Sequence, residues 1–229
     1  MVTENTAPVK LLKPHLILCE GRDAERFLIV LLHFLIADNR IFDNFQVLNF
    51  GGISELKPYL HVLPARSGFQ EVKSVSVIRD AEQDVQAAVS SVKNAFQNNG
   101  FAVPTAPALP KRKGTDPKNT DIPVDTGFVL FPSCGRSVEN GTLEDLCLNI
   151  LAGENAHSIL TVVDNTLKKR TLQRPHKNRL HTYFSMTNEY VSMKIGEAAH
   201  AQAFNFCASP IVSYKNFLLE MINEDSQDS

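Results

Sequence analysis

From residue 15 to residue 100 the chain switches three times between a short apolar run and a longer segment of helical period. The runs are HLILCE, FQVLNF and SVSVIRD, and the segments that follow them are DAERFLIVLLHFLIADN, SELKPYLHVL and DVQAAVSSVKNAFQNNG. Short apolar runs bounded by turn signals read as buried strands, whereas apolar residues recurring every three to four positions read as amphipathic helices. Repeated strand and helix in this order implies right-handed crossovers and a mainly parallel sheet. GFVLFP supplies a fourth strand candidate, so the expected fold is an α/β Rossmannoid core built on a mainly parallel four-stranded sheet. A hydrophobic content of 43% with 14 phenylalanines is enough to bury one sizeable core.

Beyond residue 155 every signal is helical: HSILTVVDNTLKKR, RLHTYFSM, IGEAAHAQAF and SPIVSYKNFLLEMINE. The expected organisation is a core over 1–154 and a helical section over 155–229 packed on it. Residues 102–126, rich in proline, lysine and aspartate, read as an exposed, mobile insertion loop. A solvated insertion is the simpler reading; the alternative is a nucleic-acid arm carrying Lys111, Arg112, Lys113 and Lys118.

The formal net charge of -2 gives no overall basic field of the kind that drives nonspecific nucleic-acid binding. The four cysteines fall without CxxC spacing, fitting neither a disulfide framework nor a zinc site and pointing to a reducing cytoplasm. No apolar run reaches the roughly 18 residues of a membrane span, and the N-terminus lacks the pattern of a signal peptide. The seven histidines show no metal-ligating spacing, and His33, inside the first helical segment, reads as a hydrogen-bonded core residue.

Two of the strand candidates end on an acid, Glu20 and Asp80. In parallel α/β sheets ligands bind beyond the carboxyl ends of the strands. Gly21 lets the backbone turn sharply and keeps the space beside Glu20 open. Two carboxylates brought together there repel unless a cation lies between them. Asp80, Glu82 and Asp84 alternate, and hard oxygen ligands grouped in this way suit Mg²⁺ or Mn²⁺. Asp84 is equally well read as the N-cap of the next helix. In GTLEDL, Thr142 and Asp145 have capping-box spacing, which leaves Glu144 as a further acid in a first helical turn.

The Glu20-Gly21 pair and the DAE at 80–82 resemble the signature of the Toprim fold, shared by topoisomerases, bacterial primases and the OLD-family nucleases. More narrowly, CEGRDAERFL, NFGGISELKPYL, VIRDAEQD, FPSCGRSVENGTLEDLCL and KIGEAAHAQAFNF, in that order, resemble the bacterial Toprim-like family DUF3226 over nearly the whole chain. The resemblance implies one or two Mg²⁺ (or Mn²⁺) ions held by Glu20, Asp80 and Glu82, with Asp84 and Glu144 as auxiliary ligands. It implies a metal-dependent nuclease that hydrolyses phosphodiesters, DNA ahead of RNA, with a role in phage defence. By the same resemblance a lysine stands near the scissile phosphate, Lys177 first and Lys194 as the alternative. Two departures are visible: Glu82 stands where the signature has aspartate, and Ala24, with Glu25 beside it, stands where many relatives carry an acid.

Strand passage and priming are excluded for want of the domains they require. The competing reading is a non-catalytic interaction subunit of an ABC-type ATPase; the chain has no GxxxxGK[ST] loop of its own. A homodimer is the default expectation for its assembly.

Overall fold

The computed structural model describes residues 10–113, 122–153, 155–168, 170–172 and 175–222. Lys118 and the acidic tail EDSQDS lie outside the described residues. Among the described residues there are four strands, β1 (His15–Glu20), β2 (Phe45–Gly51), β3 (Ser74–Asp80) and β4 (Asp125–Phe131). They form one sheet in the order β2-β1-β3-β4, with every neighbouring pair parallel. This is the α/β core on a parallel four-stranded sheet expected from the sequence, with helices on both faces and a helical continuation after it.

Parallel strands covered on both faces are apolar nearly throughout, and β3 and β4 are buried at almost every position. Alternation along the strands divides the interior into two layers. Ile17, Cys19, Ile78 and Val129 face α1 (Gly21–Ala37), α4 (Leu143–Asn149) and the C-terminal helices. Leu16, Leu18, Val75, Val77 and Phe128 face α2 (Leu56–Val62) and α3 (Val85–Gln97). The C-terminal helices are α5 (Ala156–Leu167), α6 (Pro175–Ser185), α7 (Ile195–His200) and α8 (Ser209–Ile222). Val163, Leu180, Ile195 and Phe217 from these helices share the first layer with α1 and the sheet. Among the described residues no helix is long and apolar enough to cross a membrane.

Three local expectations change. First, α1 begins at Gly21, directly after the strand, so that Glu20 occupies the N-cap position and Asp23 lies in the first turn. Second, His33 is exposed, on the outer side of α1. Third, the proline-rich stretch after α3 is not exposed throughout: Ala102, Pro104 and Pro107 are buried. The Ala108 N–H donates to the Phe128 carbonyl at 2.8 Å, and Lys111 and Thr126 exchange backbone hydrogen bonds of 2.8 and 2.9 Å. Arg112 donates to the Asp125 carboxylate at 2.7 Å and to the Glu220 carbonyl at 2.6 Å, and the Lys113 N–H donates to Asp125 at 2.8 Å. The physical reason is the edge of β4, whose outward backbone groups need partners that this stretch provides.

Candidate functional site

The carboxyl ends of β1, β2 and β3 surround a cleft of about 510 Å³ whose lining includes Glu20, Asp80, Glu82 and Lys177. Its floor is opened by glycines at the strand ends. Gly21 has a φ of +82°, a conformation that L side chains rarely adopt, and nothing lies within 4 Å of where its Cβ would be. Between β1 and β2 the register slips by one residue: Cys19 pairs with Asn49, but Glu20 pairs with Gly51. At this bulge the Asn49 Oδ1 accepts hydrogen bonds from the Gly21 N–H at 3.1 Å and the Gly51 N–H at 2.7 Å.

Asp80 is the electrostatic centre of the cleft. Burial, followed by the negative charges of Glu144, Glu20 and Glu82, pushes its carboxyl up to about 7, against the opposing effect of the Leu143 N–H. That N–H, the first of α4, donates to Asp80 Oδ1 at 2.8 Å. Glu20 is also raised, by burial first and by Glu82, with Arg79 acting the other way. Arg79 Nε lies 3.4 Å from Glu20 Oε2, and the arginine is 1% exposed. Among the described residues neither Glu20 Oε2 nor Arg79 Nη1 has a hydrogen-bond partner, although both are buried.

Glu82 has a φ of +56° and an exposed side chain; its backbone exchanges two 2.8 Å hydrogen bonds with Gly141, tying the turn after β3 to the entry of α4. Asp84 instead caps α3, its Oδ1 accepting from the Ala87 N–H at 2.9 Å. Glu144 is 5% exposed at its side chain and pairs with Lys177 at 3.2 Å, which places the lysine at the cleft. Lys194 is exposed at the start of α7, where its N–H donates to Glu197 at 2.9 Å, and it does not line the cleft. Ala24 points into the core, and Glu25 is absent from the cleft lining. The Thr142 N–H donates to Asp145 at 2.8 Å, completing the capping interaction read from GTLEDL.

Two residues that shape the site, Arg79 and Asn49, leave little trace in the sequence. Arg79 left one signal, a lone charge inside the apolar SVSVIRD run. Asn49 left a fainter one, a polar residue near the end of FQVLNF.

The donor set fits one hard divalent ion. Glu20 carries an orphaned buried oxygen, Asp80 sits in an excess of negative charge, and all candidate ligands are carboxylate oxygens. Among the described residues no three His, Cys, Asp or Glu side chains gather closely enough to form a metal cage. Mg²⁺ does not require one, since it commonly binds through one or two carboxylates and keeps several waters. Of the other two acids, Asp84 is engaged at its helix and Glu144 has Lys177 as counter-ion.

Residues 14–223 match the family described as "Protein of unknown function (DUF3226)". Two solved structures of the C-terminal region of the Xanthomonas campestris pv. campestris OLD protein are similar over most of their length. One is 16% identical, covers 92% of this chain and 94% of that one, and superposes with a TM-score of 0.44. The other is 15% identical, with coverage of 92% and 96% and a TM-score of 0.43. No curated protein matches the chain.

Proposed function

The chain belongs to the DUF3226 family, and on that premise we propose that the cleft is a one-cation phosphodiesterase site acting on nucleic acid, DNA ahead of RNA. The observation that carries the reading is Asp80. Its carboxylate lines one cleft with those of Glu20 and Glu82 at the carboxyl edge of a parallel sheet, where ligands bind, and burial first and the charges of Glu144, Glu20 and Glu82 next push its carboxyl up to about 7. A divalent cation there would offset the negative charge these carboxylates carry when ionised.

Glu20 and Asp80 would hold Mg²⁺ or Mn²⁺, with Glu82 at the rim beside them. The bound ion would polarise a phosphate oxygen and make a water more acidic. Asp80 is oriented by the Leu143 N–H before anything binds, while Glu20 has the Arg79 charge 3.4 Å from its Oε2. Lys177, held by Glu144, brings a positive charge to the cleft wall, where it would offset charge building on a phosphate. The open glycine floor lets a phosphate approach the backbone closely.

Two observations favour the rival reading of a non-catalytic subunit for an ABC-type ATPase. Glu20 already has an arginine partner, and Glu144 a lysine. The test is incubation of the purified protein with labelled single- and double-stranded DNA and RNA in Mg²⁺, Mn²⁺ or EDTA, beside Glu20→Gln and Asp80→Asn. Cleavage that needs metal and disappears in both variants is the expected result. Absence of cleavage together with absence of Mn²⁺ binding by calorimetry overturns the enzyme reading. Binding without cleavage directs the search to an ATPase partner.

A further inference from the structure

We infer that Asn49 is a positioning residue for Glu20: its side-chain oxygen clips the ends of β1 and β2 together and so fixes the glutamate in the orientation the cation site needs. The inference rests on the cation-site reading of the cleft.

The bulge between β1 and β2 sets the local geometry. Phe50 is the extra residue on β2, lying between the pairs Cys19 with Asn49 and Glu20 with Gly51. A bulge interrupts the ladder and re-aims the side chains next to it. Here two N–H groups, of Gly21 and Gly51, turn to one acceptor, Asn49 Oδ1, at 3.1 and 2.7 Å. A carboxamide oxygen has two lone pairs and can satisfy both donors. Both glycines have left-handed backbones, with φ of +82° and +95°, so the chain leaves the regular strand path at each of them. Asn49 and the two glycines therefore form one local unit.

Glu20 lies inside that unit, bonded to Gly21 and facing Gly51 across the ladder. Its position is set from two sides. On the β2 side the Asn49 clip fixes its backbone; on the β3 side Arg79 draws Oε2 inward to 3.4 Å. Glu20 itself lines the cleft, and its buried Oε2 has no hydrogen-bond partner among the described residues. Without an acceptor at position 49, two partly buried N–H groups lose their partner and the bulge has no reason to keep this shape.

The test uses the full chain with Asn49→Ala and Asn49→Asp, each checked for folding by circular dichroism. Two quantities are read: amide hydrogen exchange at Gly21 and Gly51 in EDTA, and Mn²⁺ affinity by electron paramagnetic resonance. Asn49→Ala should lose protection at both amides and bind Mn²⁺ about tenfold more weakly, the equivalent of roughly 1.4 kcal/mol. Asn49→Asp, which keeps the acceptor, should keep the protection and bind at least as tightly as the native chain. If Asn49→Ala does not fold, Asn49→Gln, whose amide oxygen is displaced by one methylene, takes its place with the same expected weakening. Native Mn²⁺ affinity in a folded variant that has lost protection overturns the inference and leaves Asn49 a stabiliser only. If the native protein itself binds no Mn²⁺, the proposed cation site falls and takes this inference with it, which separates the two failures.

Discussion

Asp80 ties the chemistry of the cleft to the stability of the fold. Its carboxyl, ordinarily 3.8, is pushed up to about 7, so the folded chain holds that proton more tightly than the unfolded chain does. The contribution of Asp80 to stability is therefore complete below pH ~4, is lost as pH rises towards about 7, and stays lost above it. Allowing for partial exposure, the effect is on the order of 2 kcal/mol, or about 4–8 °C in melting temperature for a chain of this size. In EDTA at pH 8, Asp80→Asn should melt higher than the native protein by that amount, because the amide can still accept from Leu143 without carrying charge. The difference should vanish towards pH 4 and shrink in Mg²⁺. Thermal melts across pH 4–8 check this, and an Asn variant less stable than native at pH 8 in EDTA would contradict it. Arg79 makes the complementary case. Arg79→Met leaves Glu20 half-buried without its counter-charge and should cost about 2–3 kcal/mol, while Arg79→Met with Glu20→Gln should recover at least about 1 kcal/mol. Denaturant unfolding of the four proteins of the cycle measures that coupling. The acids themselves were legible in the sequence because the end of an apolar run is local information. The ion pair of Glu20 with Arg79 was not, because it follows from the β1–β3 register, in which Cys19 stands beside Ile78.

Helix starts account for which acids are left for chemistry. Asp84 and Asp145 both spend an oxygen on backbone N–H groups at the heads of α3 and α4. The spacing of Asp145 from Thr142 revealed its role at once, whereas Asp84 was compatible with a cap and with a ligand, since either use requires a carboxylate just after a strand. Asn is as good a cap as Asp. Asp84→Asn should therefore unfold within about 0.5 kcal/mol of the native protein and bind Mn²⁺ with unchanged affinity, while Asp84→Ala should lose about 1 kcal/mol. Calorimetry with Mn²⁺ decides the point: a tenfold weakening in Asp84→Asn would return this residue to the ligand set. The start of α1 was misplaced for a related reason. The apolar period cannot show that Gly21 turns the chain directly from strand into helix, and it is this abrupt turn that leaves Glu20 at the cleft.

At the scale of the whole molecule, the C-terminal helices and the sheet share one interior. The sequence made both visible, but not their junction, because the signal at that junction is an absence of side chain. Gly127 on β4 lies directly beneath α8, and a Cβ there would come within 2.7 Å of Met221 Sδ and 2.8 Å of the Phe217 ring. The proline-rich stretch hides its role in the same way. Its pairing partner, β4, comes later in the chain, and composition alone cannot show that Lys111 meets Thr126 or that Arg112 reaches Asp125 and the Glu220 carbonyl of α8. Gly127→Ala forces a methyl group into packed side chains and should cost about 1–3 kcal/mol, since Phe217 and Met221 must shift. Because those residues belong to the same buried cluster as Phe27 of α1 and Val129 of β4, the loss should lower a single cooperative transition and leave its shape unchanged. Calorimetric unfolding of native and variant chains tests both parts. Two resolved transitions, only one of them moved by the substitution, would mean that the helical section folds as a unit of its own and that the cleft, with Lys177 on α6 and Glu20 and Asp80 on the sheet, is assembled by docking.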